Sequence, residues 1–279
     1  MFLLYVFVFT FGLVVGSFLN AVIYRLENGD SVFRGRSYCP HCKHILTWYD
    51  LIPLASFAML GGRCRHCKAK ISLQYPFVEL ATGLIFLLIF NFQFLIFNEF
   101  SNFLIFKLAY LWIIAGLLVI LFVYDLRHYI LPDKILFPAI GIAVGYLLFE
   151  FGALNHWKLI ENWSLVIGNS APLLNAILSA VAAAAFFFAI FAVSKGAAMG
   201  LGDVKLALFM GLFLGWPNIL VALFAAFFLG AIVGLGLIAL KKKELKSEIP
   251  FGPFLIAGTF IALLFGESMV QWYWNNFLV

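Results

Sequence analysis

Charge is what this chain has least of. Only 11% of its 279 residues are Asp, Glu, Lys or Arg, against roughly 25% in a soluble protein. With 65% of residues hydrophobic, there is too little polar material to cover a water-soluble globule. No basic stripe interleaved with aromatics is present, so nucleic acid is not expected as a partner. No charge precedes Arg25, which removes the basic leader of a secretory signal. The first apolar run, with Gly16, Ser17 and Asn20 inside it, reads instead as a retained span. Familiar catalytic signatures are missing: no phosphate-cradling glycine loop, no His-Glu-x-x-His, no Ser/His/Asp set. Cysteine is limited to four residues, low-complexity tracts are absent, and no internal repeat stands out.

What is there is apolar runs of spanning length. Mean hydropathy is +1.05, and a stretch of about 20 apolar residues crosses the hydrocarbon layer as a helix. Eight runs are expected as helices, near 2–24, 77–97, 104–124, 134–151, 172–193, 204–216, 218–240 and 253–266. The sixth is short and stops at Trp216-Pro217, as a tilted or partly re-entrant segment would. The fold class is therefore all-α, a polytopic membrane protein with about eight transmembrane helices and one small polar loop domain. Three parts are expected: a first helix over 1–24, a cytoplasmic loop domain over 25–76, and a membrane domain over 77–279.

The few charges are unevenly placed. If all eight runs span, 16 of the 18 Lys and Arg residues fall on one side, and only Lys107 and Lys158 on the other. The excess of basic residues in cytoplasmic loops then puts both termini outside. It also puts Asp125 and Asp203 on the same cytoplasmic face, although they are 78 positions apart.

The four cysteines form two pairs, Cys39-Pro40-His41-Cys42 and Cys64-Arg65-His66-Cys67, with 21 residues between them. Two Cys-x-x-Cys turns at this spacing suit a closed, structural zinc site with four thiolate ligands. A reducing cytoplasm disfavours disulfides there. A loop this small lacks a core of its own, so the metal would hold it folded. His41, His44 and His66 read as surface residues, because the thiolates already fill the coordination shell. Two redox or unused thiol pairs are the plainer alternative.

Asp125 follows the apolar run 108–123, and Asp203 lies in Gly200-Leu201-Gly202-Asp203 between two runs. Carboxylates at the edge of a span are costly and are usually functional. Two on one face can share a water: the ionised one takes its proton while the protonated one polarises a scissile carbonyl. Each has a plainer reading. Asp203 could cap a helix beginning at Val204, and Asp125 could pair with Arg127. Asp133, after Pro132, is read as a cap. The pairing of Asp125 with Asp203, one of them framed by Gly-x-Gly, favours a catalytic pair.

Many separate motifs now line up with one family. They include Gly16-Ser17-Phe18-Leu19-Asn20, Arg36-Ser37-x-Cys39-x-x-Cys42, Asp50-Leu51-Ile52-Pro53 and Gly62-Arg63-Cys64-Arg65-x-Cys67. Further on come Tyr75-Pro76-x-x-Glu79, Asp125 with Leu131-Pro132-Asp133, Gly200-x-Gly202-Asp203-x-Lys205, and Ile249-Pro250-Phe251-Gly252-Pro253. The chain resembles the bacterial type IV prepilin peptidases, leader peptidases and N-methyltransferases of pilus and type II secretion systems. The resemblance implies that Asp125 and Asp203 are the catalytic pair of an aspartyl protease of the inner membrane. It implies cleavage of a short basic leader after Gly from prepilin or pseudopilin substrates held in the bilayer. Methylation of the new N-terminus from S-adenosylmethionine would follow. No Rossmann-type methyl-donor fingerprint is visible, so the donor-binding residues are left open, with Gly16, Asn20, Arg25 and Glu79 as candidates. Helix packing for Gly16 and Asn20 and interface anchoring for Arg25 are their plainer readings. Glu79 falls just inside the second span, where it would pair with a cytoplasmic-side group or help a site.

Two other classes fit parts of the pattern. An ion- or proton-coupled transporter would use the two aspartates as a relay, but it calls for inverted repeats and midplane broken helices. A zinc-bearing scaffold for pilus assembly would leave the aspartates as caps.

Overall fold

The computed structural model describes residues 2–31, 35–97, 102–154, 172–197, 199–240 and 249–277. The basic residues Arg34, Lys158, Lys241, Lys242, Lys243 and Lys246 lie outside these. Eight long helices form where the eight apolar runs are: α1 (Phe2–Asn28), α3 (Gln74–Phe97), α4 (Asn102–His128), α5 (Asp133–Leu154), α6 (Pro172–Ser194), α7 (Leu201–Leu214), α8 (Asn218–Ala239) and α9 (Gly252–Phe277). A short helix, α2 (Ala55–Met59), and a 3-10 turn, Trp48–Leu51, lie in the loop between α1 and α3. Among the described residues there is no sheet, only the isolated bridges Tyr38–Ile45 and Arg63–Lys70.

The count of spans differs from the count of helices. Among the described residues, six helices are long and apolar enough to cross a membrane; α5 and α7 are not among them. α7 has 14 residues, about 21 Å at 1.5 Å per residue, short of the roughly 30 Å hydrocarbon layer. The described part of α5 carries Asp133, Lys134 and Glu150.

The chain forms two compact units, Met1–Ile120 and Leu121–Val279, dividing within α4. In the first, α1 packs on α3. Val8, Gly12, Gly16, Leu19, Asn20 and Ile23 form its buried stripe at helical spacing, while Phe7, Val14 and Phe18 face outward, as lipid permits. A Cβ at Gly12 would lie 2.8 Å from the Gly83 Cα, and one at Gly16 only 2.7 Å from the Glu79 Cα. Small residues let the two backbones meet, which bears out the packing reading of Gly16. Trp112 of α4 stacks on Phe86 of α3 at 5.2 Å and donates its indole N–H to the Phe86 carbonyl.

In the second unit α7 packs on α6, and α8 on α9. Leu206, Ala207, Phe209, Met210 and Gly211 of α7 are all buried, so this short helix is apolar because protein surrounds it. The turn before α9 is held by rings: Phe251 lies 5.1 Å from Phe227, 6.2 Å from Phe254 and 6.3 Å from Phe187.

Candidate active site and cysteine cluster

In the second unit Asp125 is buried near the C-terminal end of α4, and Asp203 sits in the first turn of α7. Both line one cavity of about 630 Å³, with Tyr129, Leu131, Pro132, Gly202 and Phe251 among its walls. The two carboxyl groups are near enough to interact electrostatically. Sequence spacing of 78 positions is thus closed by the fold.

Each carboxyl group is held by a backbone amide at the start of a helix. Asp203 accepts the N–H of Gly200 at 3.3 Å. The capping reading of Asp203 needs correction: α7 begins at Leu201, Gly200 is its N-cap, and Asp203 is the third helical residue. From there its side chain reaches back to the first amide, the acidic half of a capping box. Asp125 accepts the N–H of Gly252, the first residue of α9. A Cβ at position 252 would fall on the Asp125 carboxylate oxygen, so any other residue there displaces that carboxylate or the turn. Gly202 is placed less tightly, its absent Cβ 3.3 Å from that of Leu131. The Pro-Phe-Gly-Pro motif marked position 252 in the sequence, but nothing there tied it to Asp125.

α4 ends through Tyr129, a non-glycine residue in the left-handed region at φ 57°, whose N–H bonds the Asp125 carbonyl at 2.9 Å. Such backbone is uncommon away from glycine and clusters at functional sites. Asp133, expected as a simple cap, is the first residue of α5 and its carboxylate is engaged elsewhere. Lys205 Nζ of α7 reaches both of its oxygens, at 2.7 and 2.9 Å. Sequence reasoning missed this pair, which joins residues 72 positions apart.

The first unit gathers the cysteines. The Sγ atoms of Cys39, Cys42, Cys64 and Cys67 all lie within 4.8 Å of one another. Cys39 and Cys67 are 3.8 Å apart, and a tetrahedral site with Zn–S of about 2.3 Å has edges of about 3.8 Å. The donor set and spacing therefore fit a tetrahedral metal. The two knuckles share one backbone form. Cys39 N–H bonds His44 and Lys43 N–H bonds Cys39, both at 2.9 Å; Cys64 N–H bonds Ala69 at 2.8 Å and Lys68 N–H bonds Cys64 at 3.0 Å. Lys43 and Lys68 are left-handed at φ 57° and 59°. The short Cys-x-x-Cys-Lys repeat was thus legible in the sequence and passed over. The Cys67 amide, with that of His66, outweighs burial and holds the Cys64 thiol down to about 7. For Cys67 the Ala69 amide acts downward, but burial and the neighbouring thiols push it up to about 11. His44 and His66 are exposed, as expected of surface residues, and their ring centroids lie 3.5 Å apart with the planes tilted by 35°.

Residues considered for the methyl donor form a seam. Glu79 is buried and accepts the Leu54 N–H at 2.9 Å and the Ser17 hydroxyl. Asn20 donates to the Tyr75 carbonyl at 3.0 Å, and Gln74 donates to Asn20 at 3.4 Å. Arg25 donates to the Gly35 carbonyl at 2.8 Å. Leu54 is left-handed at φ 58°, so Glu79 fixes a strained point of the loop onto α3. Asp50 further braces the loop. Burial raises its carboxyl, but bonds from Thr47 and from Arg65, the latter at 2.9 Å, outweigh that and hold it below the usual carboxylate range. This seam anchors the loop to the helices.

Comparison with known proteins covers both units. A family model described as the bacterial peptidase A24 N-terminal domain matches residues 10–93, and that of the type IV leader peptidase family matches residues 112–235. A prepilin leader peptidase/N-methyltransferase of Aeromonas hydrophila is 33% identical, over 97% of this chain and 94% of that protein. One of Legionella pneumophila is 29% identical with the same coverage, and one of Myxococcus xanthus is 37% identical over 82% of this chain and 62% of its own. No solved structure matches the chain. With aspartates, glycine turns and cysteine knuckles all inside the matched sequence, the chain belongs to the type IV leader peptidase family.

Proposed function

We propose that this protein cleaves the short basic leader of type IV prepilins or type II pseudopilins and N-methylates the exposed N-terminus. The observation that carries the peptidase reading is the meeting of Asp125 and Asp203 in one cavity of about 630 Å³. Two like charges this close do not ionise independently, so the pair holds one proton over a range of pH. The ionised carboxylate takes a proton from water. The protonated partner gives its proton to the carbonyl oxygen as the water oxygen bonds to carbon. Collapse of the tetrahedral species breaks the C–N bond as one hydroxyl proton returns to the carboxylate that gave it, and the proton first taken from water passes to the leaving amine. The amides of Gly200 and Gly252 aim the two carboxylates.

The bilayer is the medium of the reaction. A substrate helix docks against the spans, and its leader junction meets the aspartates at the cytoplasmic face of the inner membrane, with both termini of the enzyme outside. This orientation takes all eight long helices as crossing, which places 16 of the 18 Lys and Arg residues on the cytoplasmic side. Cys39, Cys42, Cys64 and Cys67 would hold a structural zinc, which on binding stabilises the loop. The methyl comes from S-adenosylmethionine, as the N-methyltransferase names of the relatives suggest. The test is purified protein in detergent with a prepilin and S-adenosylmethionine, read by mass spectrometry. Loss of the leader and gain of one methyl are separate mass changes; an intact prepilin after prolonged incubation would overturn the peptidase reading.

A further inference from the structure

Leu131-Pro132-Asp133 touches both aspartate-bearing sides of the cavity. Leu131 lies 3.3 Å from the point where Gly202 would carry a Cβ, and 3.4 Å from the equivalent point on Gly252. Two residues on, Asp133 holds Lys205 through both carboxylate oxygens, and the Lys205 ammonium also stands 5.3 Å over the Phe137 ring, one turn along α5. Lys205 follows Asp203 by two residues on the same first turns of α7. We infer that the Lys205–Asp133 ion pair is a latch that fixes the first turn of α7 against the Leu131 turn and so sets the separation of Asp203 from Asp125. Both are positioning residues for the cleavage reaction proposed above, on which this inference rests.

The energetics separate the latch from a structural tie. The side chains of Lys205 and Asp133 are 37% and 53% exposed, and an ion pair so open to solvent adds little to folding. The chain therefore folds without it. Geometry is less forgiving, because a displacement of about 1 Å at reacting groups can cost about 100-fold in rate. A large loss of rate with a small loss of stability is the signature of a latch. The opposite charges of the pair also make it reversible: exchanging the two residues keeps the attraction across the same gap.

The test uses the full-length protein carrying Lys205→Met, Asp133→Asn, or the exchange Lys205→Asp with Asp133→Lys. Prepilin cleavage kinetics, melting temperature and hydrogen exchange at amides 201–206 are measured on each. Both single variants should lose about 10- to 100-fold in kcat with KM nearly unchanged. Exchange in the first turn of α7 should rise, melting should barely move, and the exchanged pair should recover most of the lost rate. Wild-type kcat in either single variant overturns the latch. So does a rise in KM alone, which would make Lys205 or Asp133 a substrate contact, and so does an exchanged pair no better than the worse single variant. Hydrogen exchange needs no substrate: unchanged exchange in both single variants sinks the latch alone, whereas wild-type protein that cleaves no prepilin sinks the peptidase reading.

Discussion

Gly252→Ala is the sharpest probe of the site. The added methyl group falls on the Asp125 carboxylate, which the Gly252 amide also holds. Either the carboxylate turns away or the first turn of α9 withdraws, and relief of such a contact takes about 1 Å. A misplacement of that size costs about 100-fold in rate, or about 2.7 kcal/mol of transition-state stabilisation at about 1.36 kcal/mol per factor of ten. Overpacking costs folding about 1–3 kcal/mol, so the protein should still insert and purify. Gly202→Ala is milder, since Leu131 at 3.3 Å must yield only a few tenths of an ångström. Gly145→Ala is the control: nothing lies within 4 Å of its Cβ, and alanine is the better helix former by about 1 kcal/mol. Cleavage of a prepilin by each purified variant should rank Gly145→Ala near wild type, then Gly202→Ala, then Gly252→Ala. A Gly252→Ala enzyme within about three-fold of wild type would refute the placement of α9 against Asp125.

Asp125→Asn and Asp203→Asn should each abolish cleavage while the protein stays folded, because Asn preserves size and much of the hydrogen bonding but carries no exchangeable acid proton; an active Asp203→Asn protein in the mass-spectrometric assay would end the paired-carboxylate mechanism. Cys64→Ser with Cys67→Ser should drop bound zinc from about one per chain to none by elemental analysis, with part of the peptidase activity retained since the aspartates belong to the other unit; full zinc in that variant would refute the site. A reporter fused after Lys243 should be cytoplasmic and one near Asn155 external, and the reverse pattern would overturn the proposed orientation.

How far the sequence could be read depended on the range of the signal. The eight long helices were legible as long apolar runs, because hydropathy is a local property, and the short α2 was not. Their ends were less so. α9 runs to Phe277, 11 residues past its apolar stretch, because Glu267 and the polar-aromatic end interrupt hydropathy without interrupting the helix. The sixth run was legible as short, and it forms the 14-residue α7, whose apolar sequence also reflects burial in protein. The cysteine turns were legible because the ligand spacing is itself the signal. Asp125 and Asp203 stood out because carboxylates are rare here. Their supports did not: Gly252 acts through a backbone amide, and Asp133 had a local explanation as a cap that hid its distant partner Lys205.

The shortness of α7 bears on why the site is precise. A helix surrounded by lipid can slide and tilt in it. α7 is instead buried along Leu206, Ala207, Phe209 and Met210, and its Gly211 lies so close to α6 that a Cβ would fall on the backbone of Ala180. Movement of Asp203 along the helix axis is thus resisted by side chains interdigitated with protein on its faces, at crystal-like density. The remaining freedom is rotation or fraying of the first turn, where Gly200 and Gly202 offer little packing. That is where the Asp203 carboxylate bonds the Gly200 amide, Leu131 fills the space beside Gly202, and Lys205 grips Asp133. Asp125 has the complementary problem, standing at the last turns of α4, where backbone carbonyls oppose a negative charge. The amide of Gly252 at the start of α9 supplies the donor its own helix end lacks. Each aspartate is therefore held by a contact suited to the helix end it occupies.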